Sequence, residues 1–240
     1  MKNVVYAALL AALVLACGRS NETATSGTQS ETTTTTTSST TTATAAAETT
    51  PPATVSAQSA GKQEKPMSNE GKVAELHTSK GAIDIRFFPE VAPNHVQNFL
   101  DLAQKGFYNG TKFHRIIPGF MIQGGDPNTV SGSPSTWGIG GAPSKLKAEF
   151  NSISHKRGIV SMARSQDPDS ASSQFFIVVA DSTFLDKQYT VFGQVTKGME
   201  VADAIVNGKK DRNDRPDEPV TIDSIVIRDA TDAEKGPAPK

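Results

Sequence analysis

Apolar and polar residues alternate along a stretch that begins near Val73 and ends at Phe87. The alternation lies on both sides of Ser79-Lys80-Gly81, which has the composition of a tight turn. Because successive side chains of a strand point to opposite faces, this period of two predicts two strands joined as a hairpin. Further strand-like runs occur at residues 112–117, 121–124, 158–163, 174–179, 191–195 and 220–228.

Two other segments show helical spacing. After Pro93, which suits the first position of a helix, apolar residues recur three and four positions apart until Gly106, a common helix terminator. Residues 198–206 show a similar apolar face, whereas residues 126–143 are rich in Gly, Ser and Pro and are predicted to be a loop. Many strands with only two helices predict a mainly β fold, a barrel whose ends are covered by helices.

The predicted elements confine the folded domain to residues 71–228. Upstream, residues 17–70 are dominated by Thr, Ser, Ala, Gln and Glu and contain almost no large apolar side chain. Such a segment cannot bury enough surface to offset the entropy lost on ordering, so we expect a disordered linker. The polar tail at residues 229–240 is predicted to be flexible as well.

The chain begins with a targeting segment. Residues 1–16 have a positive start and a short apolar run, which is typical of a signal peptide and too short to cross a bilayer comfortably. Val14-Leu15-Ala16-Cys17 resembles the lipobox of bacterial lipoproteins, which implies lipidation of Cys17 after cleavage. We therefore expect an exported protein, anchored by lipid to a bacterial membrane and facing the periplasm or the cell surface. The alternative is a plain secretory signal with an incidental cysteine.

Composition and charge exclude several functions. The net charge of −1 over 240 residues does not indicate a nucleic-acid partner. Cys17 is the only cysteine, so neither an intrachain disulfide nor a cysteine-based zinc site is possible. The chain lacks the glycine-rich phosphate loops and the GxSxG elbow. The four histidines have no tight ligand spacing, so we predict no metal site and interpret them as ordinary surface or strand residues: His77, His95, His114 and His155.

The stretch FHRIIPGFMIQGGDP, residues 113–127, interrupts the simple pattern. Its apolar residues suit a buried strand, yet Arg115 and Gln123 lie among them and Pro118-Gly119 breaks the run. The stretch resembles the signature of the cyclophilins, which are peptidyl-prolyl cis–trans isomerases. Other segments resemble further motifs of that family in the same order: GIVSMA at 158–163, SQFFI at 173–177, FLD at 184–186 and VFG at 191–193.

The resemblance covers residues 72–228 and carries expectations about fold and partners. It implies an eight-stranded antiparallel closed β-barrel capped by two α-helices, here preceded by the disordered tether. One face of the signature segment would pack into the barrel, and the other would line an external groove that binds a peptide. The resemblance implies that neither a metal nor an organic cofactor is needed. The expected partners are proline-containing polypeptides, and we expect a monomer.

The resemblance also assigns roles to individual residues. Arg115 would stabilise the twisted prolyl amide, Gln123 would hydrogen-bond the substrate backbone, and Phe120 would help to grip the proline ring. These three are the predicted catalytic residues. The predicted substrate-binding residues are Met121, Ala163, Arg164, Gln174, Phe176, Phe184, Leu185 and Tyr189.

One departure from the family pattern concerns drug binding. Phe184 stands where animal cytosolic cyclophilins carry a tryptophan, and it lacks the indole N–H that helps to bind cyclosporin. Catalysis depends less on this position, since phenylalanine still fills apolar space. Trp137 is not that tryptophan by position and is interpreted as an anchor for the long loop.

Three functions remain open at this point. The first is an isomerase that assists the folding of exported proteins. The second is a chaperone-like module that grips proline-containing segments with incidental turnover, and the third is a surface scaffold that acts through its tether. The presence of Arg115 favours the first, because a simple binding module does not need a charged donor beside the twisted prolyl amide.

Overall fold

The computed structural model describes residues 69–239. The predicted signal peptide, Cys17 and nearly all of the linker therefore lie outside the described residues. Within the described part, no helix has both the length and the apolar character needed to cross a bilayer.

The described chain is mainly β, with eight strands in one antiparallel sheet of order β3-β4-β6-β5-β7-β2-β1-β8. The sheet is curled, and its strand order confirms the predicted mainly β class. The strands are β1 Lys72–Thr78, β2 Gly81–Phe87, β3 Arg115–Ile117, β4 Met121–Gly124, β5 Ile159–Met162, β6 Phe175–Val178, β7 Val191–Lys197 and β8 Ile222–Asp229.

The hairpin of β1 and β2 forms where the alternation predicted it. Leu76 pairs with Ile83 and Ala74 with Ile85, and all four side chains are buried. The turn closes at Gly81, whose φ of 131° lies outside the range that other residues adopt without strain.

The helices are α1 Pro93–Gln104, α2 Asn128–Ser131 and α3 Met199–Val206. Helix α1 begins at Pro93 as predicted, because proline at the first position leaves no backbone donor unpaired. The next two backbone donors bond to a residue that is remote in sequence. The Glu149 carboxylate accepts the N–H groups of Asn94 at 3.1 Å and His95 at 3.0 Å. Helix α2 corrects the prediction, because it lies inside the stretch that was expected to be loop throughout.

The main core is an aromatic cluster between α1 and the sheet. The Phe99 ring lies 4.9 Å from Tyr108 and 5.4 Å from Phe175, measured between ring centroids, and all three rings are buried. The Tyr108 hydroxyl donates to the Ser173 carbonyl at 3.2 Å, and burial raises its pKa well above the ordinary range. Aromatic pairs of this kind add specificity to the packing because edge and face carry opposite partial charges.

The two edges of the sheet approach each other just before β3 and β8. The Phe113 N–H donates to the Val220 carbonyl at 3.0 Å, and Lys112 forms a single antiparallel bridge with Thr221. The strand predicted at residues 112–117 is therefore shorter than expected. Its first part pairs across this edge, and only Arg115–Ile117 forms β3.

The C-terminal tail makes contacts that its composition did not predict. Arg228 pairs with Glu234 and with Asp84, each at 2.8 Å. Further along, the Arg86 guanidinium donates to the Gly236 carbonyl at 3.3 Å. This side-chain network, rather than secondary structure, connects the tail to β2 and β8.

Candidate active site

The signature segment forms the hairpin of β3 and β4. Ile116 pairs with Ile122, and both side chains are buried in the main core. Arg115 pairs with Gln123, and these residues lie on the other face. Gly119, with φ 74°, allows the tight turn between the strands. The alternation therefore explains how a guanidinium and an amide occur within an apolar run.

A row of polar side chains extends from this hairpin across the sheet. The Arg115 Nη1 group lies 3.4 Å from Gln123 Oε1, and Gln123 Nε2 donates to Gln174 Oε1 at 2.9 Å. Gln174 in turn donates to the Gly140 carbonyl at 2.7 Å. Each amide is oriented by its neighbour, so the donors of this row have defined directions before any ligand binds.

An apolar cluster lies beside the polar row and separate from the main core. Met121, Phe176 and Leu185 belong to it and are buried. Phe120, Ala163 and Tyr189 are partly buried and pack against it. The structure thus brings together six of the predicted site residues, which come from four separated stretches of the sequence.

Phe184 lies at the rim of this cluster. Its ring is 5.3 Å from the Phe120 ring, and 65% of the residue is exposed. It follows that Phe184 covers one side of Phe120 and presents its own outer face to solvent.

Arg164 lies at another side of the groove and is held in place. Its guanidinium stacks over the Tyr189 ring at 4.8 Å, and its Nε donates to the Gln188 carbonyl at 3.0 Å. The Ala163 N–H already donates to the Gln174 carbonyl at 2.9 Å. Of the two backbone groups of Ala163, the carbonyl therefore remains for a strand-like contact with a peptide.

A cavity of about 510 Å³ continues the groove past Gln123 and Gln174 towards Lys145 and Arg164. The groove is thus apolar beside Phe120 and Met121 and polar where it passes the row of amides. Within residues 69–239, no three His, Cys, Asp or Glu side chains converge as metal ligands do. This arrangement can bind an extended chain and present a fixed cationic donor to an amide.

Comparison with known proteins assigns the family. The profile of the family described as "Cyclophilin type peptidyl-prolyl cis-trans isomerase/CLD" matches residues 73–227. The chain belongs to this family. It is a cyclophilin-type peptidyl-prolyl cis–trans isomerase, as the resemblance implied.

Similar proteins include curated bacterial isomerases. Peptidyl-prolyl cis-trans isomerase A of Dickeya dadantii is 44% identical over 161 residues, which are 63% of this chain and 82% of the relative. A peptidyl-prolyl cis-trans isomerase of Acinetobacter baylyi is 42% identical over 165 residues, or 65% and 85% of the two chains. Among solved structures, a Cryptosporidium parvum cyclophilin determined in the presence of the dipeptide Ala-Pro has a TM-score of 0.60 and 32% identity, covering 65% of this chain and 98% of that one.

A histidine network beneath the cyclophilin groove was missed by sequence reasoning. His155 Nδ1 lies 2.9 Å from Asp186 Oδ1, and its Nε2 lies 3.1 Å from the Ser161 hydroxyl. Its ring stacks on Phe176 at 6.2 Å. Burial lowers the pKa of His155, although Asp186 opposes the shift. The Ser161 hydroxyl donates to the Thr190 carbonyl at 2.8 Å. The network supports the floor of the apolar cluster from below.

The loop beside the groove also has an organising residue that sequence analysis did not identify. The buried Asp126 carboxylate accepts the Asn128 N–H at 2.8 Å and the Gly138 N–H at 2.5 Å. Trp137 donates its indole N–H to the Gly132 carbonyl at 3.1 Å, which agrees with its interpretation as a loop anchor. A signal for Asp126 was present, since it directly follows Gly124 and Gly125 at the start of the predicted loop.

The interpretation of the histidines as surface or strand residues was wrong for three of the four. His95, His114 and His155 are buried, and burial lowers the pKa of each. None of these residues lies in one of the eight strands or is exposed.

The buried histidines predict a loss of stability in acid. Below the ordinary histidine pKa of about 6.5, the unfolded chain binds protons that the folded chain still excludes. The free energy of unfolding should therefore fall as the pH decreases from about 6.5, by at most about 1.4 kcal/mol per pH unit for each histidine. Urea denaturation at several pH values measures this slope.

The matched variant for this prediction is His155→Gln, which keeps a polar group but cannot titrate in this range. Its free energy of unfolding should depend less steeply on pH than that of the wild type. Equal slopes in the two proteins would contradict the assignment of acid sensitivity to His155.

Proposed function

We propose that this cyclophilin accelerates X–Pro rotation in exported polypeptides and thereby assists their folding, with Arg115 as the catalytic donor. The observation that supports the proposal most directly is the position of Arg115. It lies at one end of an oriented polar row, beside an apolar cluster.

The chemistry requires no bond cleavage. The amide resists rotation because its nitrogen lone pair is delocalised into the carbonyl, with a barrier of about 18–20 kcal/mol. In the twisted state the lone pair is localised on the proline nitrogen. A donor directed at that nitrogen stabilises the twisted state more than either planar isomer, which is the condition for catalysis. Arginine suits this role because it stays charged and its planar donors are preorganised.

The remaining site residues would hold the substrate. Met121, Phe176 and Leu185, with Phe120 at the rim, offer the apolar surface for the proline ring. The Cryptosporidium relative was determined in the presence of the dipeptide Ala-Pro, which supports a proline-containing ligand for this surface. Gln123 would hydrogen-bond the substrate backbone on one side of the proline, and the Ala163 carbonyl would accept from the preceding residues in a strand-like contact.

The predicted placement follows from the N-terminal sequence alone. Cys17 would carry a lipid, and the linker of some fifty residues would average roughly 40 Å between its ends if flexible. The isomerase domain could then act on chains emerging near the membrane while it remains anchored. As a monomer, each copy would carry its own complete groove.

We also infer that the curled sheet closes into the barrel implied by the resemblance. The hydrogen bonds of Gly110 to Ile222 at 2.8 Å and of Phe113 to Val220 at 3.0 Å support closure. Amide hydrogen exchange tests it, because the Phe113 N–H should exchange as slowly as the central strands. Rapid exchange at Phe113 would indicate an open edge.

A binding module with incidental turnover is the second candidate function. The apolar cluster and its exposed rim residue Phe184 favour it, because they could hold a proline segment without catalysis. The two functions are separated by refolding a client whose slow step is prolyl isomerisation. Isomerase function predicts that Arg115→Ala abolishes the acceleration, whereas a binding function predicts that it does not.

Phe184 predicts the response to cyclosporin. Phe184→Trp should tighten cyclosporin binding by about 1–2 kcal/mol, because an indole adds one hydrogen-bond donor and more apolar contact at an exposed rim position. Calorimetric titration of both proteins measures the change, and isomerase activity serves as the control and should change little. Equal drug affinities would contradict the position assigned to Phe184.

A further inference from the structure

A turn from the C-terminal part of the chain docks on the free edge of β3. The Ile116 N–H donates to the Asp214 carbonyl at 2.8 Å, directly after Arg115. The turn is closed by Asp211, whose carboxylate accepts the N–H groups of Asn213 at 2.8 Å and Arg215 at 3.0 Å. The backbone that carries Arg115 is therefore held by β4 on one side and by Asp214 on the other.

Asp214 also faces the Arg115 side chain. Asp214 Oδ2 lies 4.0 Å from Arg115 Nε, while its Oδ1 pairs with Lys210. Because Lys210 engages one oxygen, the other is directed towards the guanidinium. Arg115 is thus contacted at Nε by a carboxylate and at Nη1 by Gln123.

The turn itself does not require a carboxylate at this position. Asp214 has φ 62°, a left-handed conformation that glycine adopts without steric cost and that asparagine tolerates better than most residues. Either residue would keep the backbone contact with Ile116. The negative charge pairs with Lys210, and on the side of the groove it also faces Arg115.

The negative charge of Asp214 can restrict the orientation of the Arg115 side chain. Arg115 is 44% exposed at its side chain, and a long exposed side chain populates many rotamers. A donor that stabilises a transition state is effective only if it is oriented beforehand. A carboxylate 4.0 Å from Nε attracts that edge of the guanidinium, while Nη1 faces Gln123 in the groove.

We propose that Asp214 is a positioning residue that orients the Arg115 guanidinium for isomerisation. The proposal rests on the proposed catalytic role of Arg115. Asp214 does not touch the substrate, so its effect is confined to the orientation of the donor and should be seen in kcat rather than in KM.

The test compares two variants of the full-length chain, Asp214→Asn and Asp214→Gly. Both keep the turn and remove the charge. Because exposed ion pairs contribute little, kcat should fall by only about three- to fivefold, with KM for a neutral proline peptide unchanged. The control is Asp203→Asn, which removes the exposed Arg157–Asp203 pair at 2.7 Å and should leave kcat at the wild-type value.

A double-mutant cycle shows whether Asp214 acts through Arg115. In an Arg115→Ala background, Asp214→Asn should cause no further loss, because the group to be oriented is absent. An NMR order parameter for Arg115 Nε–H should be lower in Asp214→Asn than in the wild type, at unchanged Tm. This measurement distinguishes positioning from a general loss of stability.

The outcomes separate the two proposals. Wild-type kcat in both Asp214 variants, an equal loss in the Arg115→Ala background, or an unchanged order parameter would each overturn the role of Asp214 and leave that of Arg115 intact. Wild-type activity of Arg115→Ala itself would overturn the proposed function, and the role of Asp214 with it.

Discussion

Arg115→Ala should lower kcat/KM by about two to three powers of ten, which corresponds to roughly 3–4 kcal/mol of transition-state stabilisation. The physical reason is that the guanidinium interacts with the proline nitrogen only when the amide is twisted and the lone pair is localised. Its loss should therefore raise the barrier and change the ground-state complex much less. Binding of a proline peptide at equilibrium should weaken only slightly.

The measurement is a coupled or NMR exchange assay of isomerisation on a proline peptide, with peptide affinity determined separately. Arg157→Ala is the matched control, because Arg157 makes a similarly exposed ion pair with Asp203 and has no contact with Arg115 among those described. It should retain wild-type activity. Equal losses of affinity and of kcat/KM in Arg115→Ala would show that Arg115 binds the substrate instead of stabilising the twisted state.

Cys17→Ser should release the protein from the membrane fraction of cells that express it. Cys17 is the only thiol in the chain and directly follows the apolar run of the predicted signal peptide. A thiol can receive a diacylglycerol and a serine hydroxyl in this position does not substitute for it. The described strands and helices begin at Lys72, so the isomerase activity of the released protein should equal that of the wild type.

Cell fractionation combined with labelling by a radioactive fatty acid measures both effects. The wild type should carry label and sediment with membranes. A matched control combines Cys17→Ser with Ser20→Cys, which restores a thiol three residues away and should remain unlabelled. Sedimentation of the Cys17→Ser protein with membranes would mean that an uncleaved apolar segment or a protein partner is the anchor.

Local patterns predicted the strands well because each strand has two faces in different environments. Leu76 and Ile83 show this in β1 and β2, where the period of two in the sequence becomes the pairing of buried side chains. The short helix at Asn128–Ser131 was not predicted, because four residues are too few to display helical spacing. At Lys112 the pattern was correct about extended backbone but could not specify which strand it would pair with.

The groove residues were found for a different reason. Arg115 and Gln123 interrupt an apolar run. Burying such polar side chains in a core would cost free energy, so their presence indicates a face outside the core. That anomaly, together with the motif order, indicated the candidate site. It did not reveal how the side chains are held, because the partners of Gln123 and Arg115 lie far away in sequence at Gln174 and Asp214.

The sequence by itself determined the fold class, the family, the groove residues and a coherent hypothesis for export, because these depend on local periodicity and on motifs that remain together along the chain. Tertiary structure alone decided that His155 is buried against Asp186, that Glu149 caps α1, and that Asp214 approaches Arg115. Each of these contacts joins residues that are 31 to 99 positions apart. Hydrogen bonds and charge pairs across such separations leave no periodic trace, because they are set by how the sheet curls and where its loops return.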